Sequence, residues 1–110
     1  MDALVGDDDA LRDRLEALLL GGLDTEWLAR AYTSEAVNDI IARLQAIAHD
    51  DHAELLRVAG FTARPYVAPD DEIAQACETC MYYVVHRRFC DLPELRLPAK
   101  PEWSCRLWRI

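Results

Sequence analysis

All four cysteines of the chain fall in its final 34 residues, spaced C-x2-C-x9-C-x14-C as Cys77, Cys80, Cys90 and Cys105. No other feature constrains the fold as strongly, because thiols gathered in one short stretch must share a metal, pair as disulfides, or pack as small hydrophobes. The opening MDALVGDDD has neither a basic n-region nor an apolar h-region with a small-residue cleavage site. No secretory leader is read there, and a cytoplasmic chain is expected. In that reducing compartment four cysteines are more naturally metal ligands than two disulfides.

At 110 residues the chain suits one compact domain, or one small domain with an appendage. Charge is uneven along it. Residues 1–60 hold 13 acidic and 5 basic side chains, whereas residues 61–110 hold 7 of each, so the whole net charge of −8 sits on the first part. An acidic face of this kind argues against nucleic acid, where affinity comes from Lys and Arg displacing counterions. It suits solubility or docking onto a basic partner. No run approaches the roughly 20 apolar residues that span a bilayer.

Apolar spacing divides the first part into helices. Leu11, Leu15, Leu18 and Leu19 lie on one helix face between Asp7 and Leu20, with Gly21-Gly22 as its stop. Asp24 reads as the N-cap of a short helix through Trp27, Leu28 and Tyr32. From a cap at Ser34, the positions Val37, Ile40, Ile41, Leu44 and Ile47 form the clearest apolar stripe. The polar knot His49-Asp50-Asp51-His52 interrupts or decorates it before Leu55, Leu56, Val58 and Gly60. Pro65 and Pro69 mark residues 61–69 as an extended linker. Asp70 is then expected to cap a helix beginning Asp71-Glu72-Ile73, which either runs on through the first cysteines or gives way to a short strand near Tyr82 to Val85. The stretch DLPELRLPAKPEW has three prolines and no periodicity, so a loop is expected. The fold expected is mostly α: an N-terminal bundle of three to four helices over 1–60, a linker over 61–69, and a small irregular cysteine module over 70–110.

Three residues apart on a helical turn, Cys77 and Cys80 would project two thiolates to one side, while Cys90 and Cys105 bracket the proline-rich loop that could bring them round to the other. A structural zinc site with four cysteines is usually built from two C-x2-C knuckles, and one is present. The surroundings are Met81, Tyr82, Tyr83, Phe89, Trp103 and Trp108, an apolar shell of the kind that sets iron–sulfur potentials. A 4Fe-4S cluster is therefore favoured over zinc, with buried or redox-active thiols as the remaining possibility. A thioredoxin-like role for Cys77 and Cys80 lacks the βαβ context.

The segments Cys77-Glu78-Thr79-Cys80-Met81-Tyr82-Tyr83, Phe89-Cys90-Asp91-Leu92-Pro93 and Glu102-Trp103-Ser104-Cys105-Arg106-Leu107-Trp108 resemble the cluster-binding half of high-potential iron–sulfur proteins. The resemblance covers about a third of the chain. It implies one cubane cluster held by Cys77, Cys80, Cys90 and Cys105 and shielded by Tyr82, Trp103 and Trp108. Ser104 separates Trp103 from Cys105 where that family joins them, and the gap between Cys80 and Cys90 is shorter. Similar small cluster modules serve as accessory subunits of larger enzymes, some glycyl-radical enzymes among them. Electron transfer, or support of a larger redox enzyme, is the function this implies. The alternative is a zinc-stabilised protein-interaction module.

Other candidates have plainer readings. His49 and His52 beside Asp50 and Asp51 suit a solvated helix face better than a second metal site, and His86 is redundant with four cysteines available. Arg87, Arg88, Arg96, Lys100, Arg106 and Arg109 could offset a cluster's charge or dock an acidic partner. No catalytic triad, phosphate loop or carboxylate pair is visible, so no independent enzymatic activity is expected.

Overall fold

The computed structural model describes residues 2–68 and 74–109. Three helices and one small antiparallel sheet make up its regular structure. No helix among the described residues is long and apolar enough to cross a membrane.

Helix α1 spans Asp2–Leu20, beginning five residues before the expected start at Asp7. It ends at the glycine pair: Leu23 N–H donates to the Leu18 carbonyl (3.1 Å) across Gly22, whose φ of 101° an L side chain would resist. Helix α2, Ser34–Gln45, is capped one residue earlier than its sequence suggests, by Thr33, whose hydroxyl accepts from Ala36 N–H (3.1 Å). The polar knot does interrupt the stripe. Asp51 caps helix α3, His52–Ala59, by accepting from Glu54 N–H, a local bond that competes with helix continuation. Gly60 closes α3 in the left-handed region.

The short helix expected from Asp24 to Tyr32 does not form. Its backbone groups are used at long range instead: Glu26 N–H donates to the Arg57 carbonyl (3.0 Å), and Ala31 N–H to that of Arg106 (3.3 Å). The Glu26 carboxylate accepts from Arg43 (2.8 and 2.6 Å), Arg57 (3.1 Å) and Arg106 (3.3 Å). The hydrogen bonds from Arg43 lead in holding its pKa down at about 2.

The start of the helix expected at Asp71 lies outside the described residues. Gln75, within its expected course, is extended and bridges Tyr66. Cys77–Thr79 then forms a single 3-10 turn, so the first two cysteines are not on an α-helix. Cys77 N–H donates to the Trp103 carbonyl (2.6 Å) and Glu78 N–H to that of Pro101 (3.0 Å), drawing the amides away from helical partners. Strands β1 (Tyr83–Val84), β2 (Phe89–Cys90) and β3 (Leu97–Pro98) pair in that order, with Tyr83 opposite Cys90 and Cys90 opposite Leu97. The proline-rich stretch is thus ordered and supplies an edge strand, where the missing proline N–H is tolerated.

One buried cluster joins these parts, from Leu15, Leu44, Leu55 and Phe61 to Leu95, Leu97 and Trp103. Arg12, only 3% exposed, ties α1 to the β1–β2 turn by donating to the carbonyls of Arg87 (3.1 Å) and Arg88 (2.8 Å). Asp8 meets Arg87 and Glu16 meets Lys100, so part of the acidic surface is neutralised within the chain.

Gly60 tests this closure. A Cβ there would sit 2.9 Å from Arg106 Cγ and 3.0 Å from the Glu26 carbonyl, at a φ of 71°. Gly60→Ala is expected to cost more than about 2 kcal/mol through strain and overpacking, read as a lower denaturant midpoint at unchanged slope.

Candidate metal centre

Four local structures deliver the four thiols. Cys77 opens the 3-10 turn, Cys80 closes it with extended backbone, Cys90 ends β2, and Cys105 follows Ser104, which is bridged to Thr62. Cys77, Cys90 and Cys105 are buried and Cys80 is half-buried; none forms a disulfide.

All four line one small cavity, completed by Phe61, Tyr83 and Trp108. No polar atom is exposed on its wall. The sequence segments therefore do converge. Among the described residues, however, no group of three or more His, Cys, Asp or Glu side chains is arranged to hold a single metal ion.

Burial dominates the electrostatics. It pushes the Cys77 thiol well above its ordinary range, and Cys105, Cys90 and Cys80 add to the rise. Cys90 goes up to about 11 by burial, opposed by the Leu92 N–H that bonds its sulfur. Cys105 is likewise raised by burial, then by Cys90 and Cys80, and drawn back by the Leu107 N–H and the Arg30 guanidinium. Cys90-Asp91-Leu92 and Cys105-Arg106-Leu107 thus share one device, in which the amide two residues on faces the sulfur. The repeated C-x-L was visible in sequence as a signal for it. Three thiols that resist ionisation together are a poor arrangement for bare thiolates, and a good one for a cation-bearing centre that takes up the negative charge.

The expected shield is redistributed. Trp108 lies on the cavity wall, and its indole N–H donates to Thr79 Oγ1 (3.0 Å). Tyr82 is not on the wall; it lines a separate groove with Val37, Ile41, Leu92 and Pro93. Tyr83 takes its place because residues opposite one another across a strand pair share a face, and Tyr83 is opposite Cys90. Its hydroxyl donates to the Ala99 carbonyl (2.9 Å), and burial, with Cys77 second, raises its pKa to about 12. Trp103 stands one layer back, edge-on to Phe61 at 6.4 Å between ring centres. Phe61 was missed, because it sits in the proline-bounded stretch read as a linker; Tyr83 was counted in the apolar shell, but its neighbour Tyr82 was chosen as the shield. His86 is exposed in the β1–β2 turn and off the wall, and His49 is exposed between α2 and α3. Arg87 pairs with Asp8 and stacks on Phe89 (3.8 Å), while Arg106 pairs with Glu26.

Comparison with family models, curated proteins and solved structures finds no match.

The raised thiol values fix a pH response for the metal-free chain. A group whose folded pKa lies above its unfolded value adds stability below the unfolded value and loses it as pH rises through the folded one. For Cys90 that window runs from its ordinary 9.0 to about 11, and the loss across it is roughly 2–3 kcal/mol. Chelator-treated protein is expected to show a falling denaturant midpoint between pH 8 and about pH 11, with Cys90→Ala showing a smaller fall.

Proposed function

We propose that the chain is a small iron–sulfur protein, with one 4Fe-4S cluster ligated by Cys77, Cys80, Cys90 and Cys105. The observation that carries this reading is the single apolar cavity lined by all four thiols and three aromatic rings. A zinc ion needs four sulfurs at about 2.3 Å from one point. Here the four thiols share their cavity with three aromatic rings, an apolar setting that favours an iron–sulfur centre over a zinc knuckle.

When bound, such a cluster supplies a one-electron redox centre. The chain's own part is to present four thiols, exclude water and set the field around them. Phe61, Tyr83 and Trp108 cover the cavity, and the amides of Leu92 and Leu107 face two of the sulfurs, where hydrogen bonds of this kind tune potential. Cys80, the least buried of the four, is the ligand closest to an incoming redox partner.

Nothing in the sequence offered a substrate site, so the proposed role is electron transfer, or support of a larger redox enzyme as an accessory subunit in the cytoplasm. A zinc-stabilised interaction module is the competing reading.

Purified without oxygen, the chain is expected to be brown and to hold iron and acid-labile sulfide at about four each per chain. One zinc and no sulfide would replace this reading by the zinc module. Cys105→Ser should lose colour and expose residues 91–104 to protease while leaving α1 to α3 helical, checked by limited proteolysis and far-UV circular dichroism.

A further inference from the structure

Arg30 holds an unusual position among the cations of the chain. Its Nη1 donates to the Trp27 carbonyl (2.9 Å), and its Nη2 to Gln75 Oε1 (2.5 Å) and to the carbonyl of Cys105 (3.1 Å). The guanidinium carbon lies 4.0 Å above the centre of the Tyr66 ring, and Nε is buried without a partner. Every acceptor it meets is neutral.

The other cations withdrawn from solvent are treated differently. Arg12 meets Asp9 (2.6 Å), Arg57 meets Glu54 (2.5 Å), Lys100 meets Glu16 (2.6 Å) and Arg106 meets Glu26 (3.3 Å). Among the described residues Arg30 alone of this group has no carboxylate within ion-pair distance. Neutral acceptors satisfy its N–H groups without cancelling its charge, and a partly buried charge is costly unless an opposite charge balances it. Among the described residues no anion meets Arg30, which touches the backbone of Cys105, a residue whose thiol lines the cavity. Gln75, 4% exposed, places an amide where a carboxylate of the same shape would have quenched the guanidinium.

We infer that Arg30 is the countercharge of the thiolate-ligated centre and a residue that sets its reduction potential. This rests on the four-cysteine reading above and deepens it. A thiolate-ligated cluster is anionic and becomes more so on reduction, so a nearby cation favours the reduced form and raises the potential. Arg30 is a positioning and tuning residue with no covalent part in the centre.

The test uses the whole chain, purified anaerobically, with iron and sulfide measured first in the parent. Arg30→Gln is expected to lower the equilibrium constant for cluster reduction about tenfold, a fall of about 59 mV for a one-electron couple, read by voltammetry. Arg30→Lys, which keeps the charge, should retain most of the parent's potential. Gln75→Glu supplies the missing carboxylate and leaves Arg30 in place, so it should shift the potential in the same direction as Arg30→Gln, and it keeps the test alive if Arg30→Gln does not load. Potentials equal to the parent's in Arg30→Gln or in Gln75→Glu would overturn the countercharge role while leaving the cluster intact. So would an equal fall in Arg30→Lys and Arg30→Gln, which would assign the effect to the guanidinium's hydrogen bonds. If the parent holds zinc in place of iron and sulfide, the cluster reading fails separately. The same variants are then compared by competition with a chromophoric chelator. About tenfold weaker zinc retention in Arg30→Gln and Gln75→Glu, with Arg30→Lys unchanged, supports the countercharge role, and equal retention overturns it.

Discussion

Cys77, Cys90 and Cys105 hold their thiols so far from water that ionising any one is disfavoured, and each thiolate formed raises the cost of the next. An arrangement like this is stable in two ways: as neutral thiols packed like small hydrophobes, or as ligands whose negative charge is taken up by metal. The absence of exposed polar atoms on the cavity wall sharpens the choice, because water finds no partners there. The rest of the molecule holds the segments that carry the four thiols in register.

The helical half does this with cations and backbone rather than with apolar packing alone. Arg12 reaches from α1 to the turn that joins β1 to β2, the pair that aligns Tyr83 with Cys90. Glu26 gathers Arg43, Arg57 and Arg106, and Arg106 also donates to the Val58 carbonyl (2.9 Å), anchoring the residue after Cys105 to the end of α3. Arg30 completes the series, bonded to the carbonyl of Cys105 itself. Three acidic residues of the first half, Asp8, Glu16 and Glu26, are thus paired with basic residues of the second.

What was legible in the sequence was local. Leu11 to Leu19 and Val37 to Leu44 declared their helices, and Gly22 and Gly60 ended theirs, since apolar period and left-handed caps depend on near neighbours. Segments whose amides bond far along the chain were misread. Residues 24–32 carry a cap and an apolar pattern, yet Glu26 and Ala31 bond to Arg57 and Arg106, and Cys77 and Glu78 turn to Trp103 and Pro101. The convergence of the four cysteines followed from their clustering. Tyr83 in place of Tyr82 required the strand register, and Arg30 required knowing that a residue 75 positions from Cys105 folds against it.

The central claim is that these four thiols hold one multi-atom iron–sulfur centre, and native mass spectrometry of the anaerobically purified chain addresses it most directly. The account predicts a single species whose added mass equals four iron and four sulfur atoms less the protons lost from the ligands, on a chain of 12.5 kDa. A bare chain with four free thiols, or a chain carrying one zinc ion, would contradict it.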